Sequence, residues 1–158
     1  MDARQIMARS GLRPNRALGQ NFLTDEERLS RIAEAALCGS LPVLEIGAGL
    51  GALTEALLSR GVRVVAVEKD AALAALLREA LPAARVISAD FLALDVVRVM
   101  AGEDFAAAGN LPYYATTPIC EKLLCALPAQ AVLMVQKEAA ARFFAAPGDR
   151  VYGPLAVL

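Results

Sequence analysis

The 158-residue sequence contains no histidine and no tryptophan, and aromatic residues make up only 5% of it. Without histidine, Ser-His and Cys-His nucleophilic catalysis is excluded. The three cysteines, Cys38, Cys120 and Cys125, are too few and too odd in number for a disulfide framework. Cys120 and Cys125 lie five apart on a predicted helix, a poor match to zinc ligation. All three read as ordinary buried thiols, and no metal site is expected. No uninterrupted apolar run approaches the ~18 residues that a membrane helix needs. Much of the 57% hydrophobic content is alanine. The opening MDARQIMARSGLRPNRALGQNF lacks the apolar core of a secretory signal. The expectation is a cytoplasmic protein with no membrane partner.

Charge is unevenly distributed along the chain. The net charge is −1, yet before Asp25 the only acid is Asp2, set against Arg4, Arg9, Arg13 and Arg16. A cationic arm over residues 1–24, joined to a nearly neutral body, reads as a local footprint for phosphate.

Short β-rich runs alternate with amphipathic helical runs along the remainder, residues 25–158. EERLSRIAEAAL sets Leu29, Ile32, Ala33, Ala36 and Leu37 on one face, with Thr24 or Asp25 as N-cap. The strands are predicted in PVLEIG, VRVVAVE, ARVISAD, DFAAAGN and QAVLMVQ. Helices are predicted in GALTEALLSRG, DAALAALLREAL, LALDVVRVM, TPICEKLLCAL and KEAAARFFA. Asp70 caps the second of these and Pro82 follows it; Thr117 and Pro118 open the fourth. Five strands alternating with helices predict an α/β fold, a parallel sheet with helices on both faces. Ligands of such sheets bind beyond the carboxyl ends of the strands. The residues that finish strands therefore carry the information: Glu45 to Gly47, Glu68, Asp90, Asn110 and Gln136.

EIGAGLGALT follows the first strand, with Gly47, Gly49 and Gly51 spaced two apart. Glycines there permit a tight turn and close approach of a ligand to the backbone. The third glycine comes one residue too early for the G-x-G-x-x-G pattern of dinucleotide sites. That spacing, and the lack of an obvious hydride-relay residue, disfavour a nicotinamide-dependent oxidoreductase. Glu68 closes the second strand about 20 residues after the turn, where an acid can hold both ribose hydroxyls. Asp90, in SADFL, can accept from an adenine exocyclic amine, and Phe91 can pack along the ring. A ribose acid and an adenine acid without a pyrophosphate fingerprint point to an adenosine ligand such as S-adenosyl-L-methionine.

EIGAGLGALT, VEKD, SADFL and GNLPYY together resemble the motif series of class I S-adenosylmethionine-dependent methyltransferases. LGQNFL, VQKEAAARF and YGPLAVL resemble one branch, the ribosomal RNA adenine N6-dimethyltransferases. The resemblance runs from about Arg13 to the last residue. It implies a Rossmann-like sheet in the order 3-2-1-4-5, with Gln20 supporting a cofactor wall made by Asn21, Leu23, Gly47, Gly49, Glu68, Asp90, Phe91 and Asn110. It implies two methyl additions on each of two adjacent adenosines near the 3′ end of small-subunit rRNA, with the immature small subunit as partner and a monomeric protein. A related branch methylates large-subunit rRNA and confers macrolide resistance. A nonenzymatic RNA-binding assembly factor on the same scaffold is the remaining alternative. The family has further strands and a helical C-terminal domain, so a truncated chain is expected, with an uncovered edge beside the fifth strand.

The stretch NLPYY explains itself in these terms. An adenine N6 amine is a poor nucleophile, because its lone pair is delocalised into the ring. The Asn110 side-chain oxygen and the Leu111 carbonyl can accept its hydrogens and favour a pyramidal nitrogen. Pro112 removes a backbone donor and fixes the chain. Tyr113 can stack on the target base, as aromatic groups do on flipped bases. Tyr114 lines the pocket or packs in the core.

Overall fold

The structure, a computed structural model, describes residues 23–157. Helix α1 (Glu26–Ala35) begins at Asp25, not Thr24, because the Asp25 carboxylate accepts the Arg28 N–H at 3.0 Å. Glu26 and Glu27 in its first turn complement the helix dipole. The chain continues through β1 (Val43–Ile46), α2 (Ala52–Leu58), β2 (Val64–Glu68), α3 (Ala71–Ala80) and β3 (Arg85–Ser88). A 3₁₀ turn (Phe91–Ala93) and the single-turn α4 (Val96–Val99) lead into β4 (Ala106–Asn110). A second 3₁₀ turn (Tyr113–Ala115), α5 (Thr116–Ala126), β5 (Gln130–Met134), α6 (Lys137–Ala140) and a last 3₁₀ turn (Pro154–Ala156) complete it.

The five strands form one parallel sheet in the order β3-β2-β1-β4-β5, as expected. Side chains alternate between its faces. Leu44, Ile46, Val65, Val67 and Ala107 share one core with Phe91, Met100, Ile119 and Leu123. Val43, Val64, Ala66, Ala106 and Ala108 share the other with Leu29 and Ala33 of α1, Leu53 and Leu57 of α2, and Leu77 of α3. The same parity assigns Glu45, Glu68 and Asn110 to the second face, so three polar side chains interrupt one apolar layer near its end.

Some boundaries differ from the sequence expectation. β3 ends at Ser88, and Asp90 caps the following 3₁₀ turn by accepting the Leu92 N–H at 3.0 Å. β5 ends at Met134, so Gln136 is the N-cap of α6 rather than the last strand residue. The helix predicted over KEAAARFFA is only Lys137–Ala140. Ala139 is its one buried residue, Phe143 packs only in part, and Phe144 is exposed, so the stripe offers the core too little to extend the helix. The basic arm over residues 1–22 lies outside the described residues.

Candidate functional site

Register puts the site together. Ile46 pairs with Val67 on one side and with Gly109 on the other. The next residue of each strand is Glu68, Gly47 and Asn110, which therefore stand level along the carboxyl rim. The Gly47 N–H donates to the Val67 carbonyl at 2.9 Å, one further rung of the β1–β2 ladder, and the Ala48 N–H shares that carbonyl at 3.2 Å as the chain leaves the sheet. Gly47 and Gly49 hold φ values of 73° and 56°, which a side chain would strain. At Gly51 packing decides as well: an added Cβ would lie 2.5 Å from Leu77 Cδ2 and 2.8 Å from Leu81 Cδ1. The early third glycine thus seats α2 against α3.

Glu68 is buried and its carboxylate is held by the backbone. The Gly49 N–H donates to Oε2 at 2.7 Å and the Asp70 N–H donates to Oε1 at 2.8 Å. Each oxygen retains a second lone pair for a ligand hydroxyl. Glu45, in the middle of the apolar strand β1, is 1% exposed. Its Oε2 accepts the Thr54 hydroxyl at 2.5 Å from α2. Burial pushes its carboxyl up to about 8, and the Glu68 charge adds to the rise, while the Thr54 bonds oppose it.

Asp90 Oδ1 accepts the Leu92 N–H, and Oδ2 takes the Lys69 ammonium at 2.8 Å. That ammonium bond, then the Leu92 N–H, holds the Asp90 carboxyl below its ordinary range. The Phe91 ring is buried, with Lys122 Nζ 5.7 Å from its centroid. The Lys122 ammonium also donates to the Leu92 carbonyl at 2.7 Å.

On the opposite wall, the Leu111 N–H donates to the Met134 carbonyl at 3.0 Å, which fixes the chain just past Asn110. The Pro112 carbonyl accepts the Ala115 N–H at 3.1 Å and the Thr116 hydroxyl at 3.2 Å. The turn is thereby tied to the start of α5. Tyr113 takes the first position of the 3₁₀ turn, and its side chain lies outside what the structure describes.

These groups share one cavity of about 410 Å³, within the roughly 300–1,000 Å³ of small-molecule sites. Leu23, Gly47, Gly49, Glu68, Asp90, Phe91, Asn110, Leu111 and Pro112 all line it. Gln20 and Asn21 lie outside the described residues. Sequence reasoning missed Lys69 and Ile119 as lining residues and gave Glu45 no site role. An acid inside a four-residue apolar strand was the available signal for Glu45. Nothing in the spacing marks Lys69. Among the described residues no cluster of His, Cys, Asp or Glu could hold a metal ion, and no helix is long and apolar enough to cross a membrane.

A parallel sheet of this order, with a glycine turn, a strand-end acid and a turn-capping acid lining one crevice, defines the Rossmann-like methyltransferase class. The solved 23S rRNA methyltransferase ErmE is 41% identical with a TM-score of 0.68, over 77% of this chain and 50% of that one. A dimethyladenosine transferase from Plasmodium falciparum is 28% identical with a TM-score of 0.70, over 87% of this chain and 51% of that one. The chain belongs to the ribosomal RNA adenine dimethylase family, whose model matches residues 11–158. Curated relatives named ribosomal RNA small subunit methyltransferase A include one from Myxococcus xanthus, 45% identical over 98% of this chain and 56% of the relative. Another, from Chlorobium luteolum, is 47% identical over 89% of this chain and 52% of the relative. The chain spans about half the length of the curated relatives it matches.

Proposed function

We propose that this chain carries the catalytic half of a small-subunit rRNA adenine N6-dimethyltransferase that uses S-adenosyl-L-methionine. The substrate is two adjacent adenosines near the 3′ end of the rRNA in immature cytoplasmic subunits, each methylated twice. The observation that carries this reading is the level row of Glu68, Gly47 and Asn110 on the rim of one cavity. The residues present fit the cofactor. Glu68 is oriented by two backbone donors and keeps lone pairs for ribose hydroxyls. Asp90 accepts the adenine amine and Phe91 packs beside the ring. The bare backbone at Gly47 and Gly49 leaves room for the amino-acid portion, and Leu23, with Asn21 and Gln20 from the arm, closes the site. When bound, the cofactor supplies a methyl group activated by a positively charged sulfur.

The protein's own contribution is orientation, which is worth up to ~7–11 kcal/mol. Asn110 and the Leu111 carbonyl accept the hydrogens of the target amine, and Pro112 keeps that carbonyl aimed. Tyr113 stacks on the base, for about 1–3 kcal/mol. No strong base is needed, because the methylated amine can release its proton to solvent. The arm and the exposed Lys137, Arg142 and Arg150 meet RNA phosphates, a contact that weakens as salt rises. At the low concentrations of catalysis the protein acts as a monomer.

The test is transfer of labelled methyl from S-adenosyl-L-methionine to immature small subunits. Label on N6-dimethyladenosine is the expected result. Asn110→Ala is expected to lower transfer by about 100-fold or more with an unchanged unfolding curve. The 41% identity to a 23S rRNA methyltransferase favours a second reading, transfer to large-subunit rRNA. Label there and not on the small subunit selects it. Calorimetry showing no cofactor binding would instead favour the RNA-binding assembly factor.

A further inference from the structure

Each carboxylate oxygen of the acid assigned to the adenine amine already holds a partner. Asp90 Oδ1 is committed to the Leu92 N–H, a bond that shapes the 3₁₀ turn carrying Phe91. The oxygen with no backbone donor is Oδ2, and it holds the Lys69 ammonium at 2.8 Å. Lys69 and Asp90 both line the cavity. The ion pair therefore stands where a purine amine needs its acceptor. We propose that Lys69 is a displaceable latch on the adenine subsite, competing for Asp90 Oδ2 with any exocyclic N–H that a ligand brings there. The inference rests on the adenosine reading of the pocket.

The energetics of the pair suit a latch. Its side chains are 52% and 37% exposed, and exposed ion pairs of this kind are weak and screened by salt. A neutral amine can therefore compete with the ammonium for the carboxylate. Lys69 lies at the start of the loop into α3 and is half in solvent, so it can swing out at little cost. Asp90 is not then stranded. Lys122 is held beside it by the Leu92 carbonyl and also helps keep the Asp90 carboxyl low. A purine without the amine has nothing to offer Oδ2 and leaves the latch closed. Lys69 thus lowers the affinity for an amine-bearing purine and leaves that for a purine without the amine unchanged.

The experiment is calorimetric titration of the 158-residue chain and its Lys69→Met variant with two neutral-sulfur ligands. They are S-adenosyl-L-homocysteine and its analogue with hydrogen in place of the 6-amino group. The neutral sulfur removes any direct repulsion between Lys69 and a sulfonium. Lys69→Met is expected to tighten S-adenosyl-L-homocysteine by about two- to fivefold, the range of a weak exposed ion pair. The deaminated analogue is expected to change by less than about twofold. In the unsubstituted chain, added potassium chloride is expected to tighten the amine-bearing ligand, and in Lys69→Met to leave it unchanged. Equal changes for both ligands, no change for either, or weaker binding of S-adenosyl-L-homocysteine by the variant would each overturn the latch. If the unsubstituted chain binds neither ligand, the adenosine reading itself fails, a separate and recognisable outcome.

Discussion

Glu45 is the residue whose chemistry departs most from its surroundings. It stands in a strand that is otherwise valine, leucine and isoleucine, with Thr54 as its hydrogen-bond donor and Glu68 as a charged neighbour. The fold keeps its proton up to about pH 8, whereas an unfolded chain releases it near 4.5. The folded state thus binds the extra proton between those values. Stability from the neutral carboxyl is whole below the lower value, falls as pH rises between the two, and levels off above the upper. Thermal or urea unfolding at about pH 6 and about pH 9 should show the protein losing at least ~1.4 kcal/mol more than Glu45→Gln, the free energy of a tenfold change in proton affinity. Parallel losses would refute it. At this scale the sequence was informative where spacing carried meaning. Glu68 could be placed because it ends an apolar run about 20 residues after the glycine turn, and Asn110 because it ends a small-residue run just ahead of Pro112. Lys69 could not, since a lysine after an acid at a strand end looks like any solvated charge until its partner is known.

Among the elements, α3 links folding to the site. Asp70 accepts the Ala72 and Leu73 N–H groups through its side chain, while its own N–H holds Glu68 Oε1. Replacing Asp70 by alanine removes the cap and spares the backbone donor. The expected cost is about 1 kcal/mol, with faster hydrogen exchange at Ala72 and Leu73 and ligand affinity within about twofold of the original. A large loss of affinity would show that the cap, and not only the backbone, positions Glu68. Element identities were readable from period alone: Leu73 and Leu77 repeat at helical spacing, while Val64 to Val67 run unbroken as a strand buried on both faces. Ends were less readable. Asp90 and Gln136 look like strand termini in the sequence, but each caps the turn or helix that follows, and a polar residue after an apolar run fits both roles.

For the whole molecule, the strand order leaves β5 paired on one side only among the described residues. An open edge is a template for pairing with another chain. The 158-residue chain is expected to self-associate as its concentration rises, and Ala131→Lys, at an exposed position of β5, to suppress this. Sedimentation velocity over a range of concentrations reads the result, and a chain that stays monomeric throughout contradicts it. The parallel architecture was legible in the alternation of strands and helices, and its strand order in the family resemblance. The rim was legible only as a set of endings; that Glu68 and Asn110 fall level with Gly47 depends on register.

The direction of the sheet reverses at β1, whose neighbours are β2 from the following segment and β4 from much later in the chain. During synthesis the glycine turn and Glu68 can therefore meet early, as neighbours in sequence. The wall that would face a substrate is added only when β4 docks on the far side of β1, a slower closure over a longer loop. The cavity is therefore complete only once β4 has docked, however early the glycine turn and Glu68 meet.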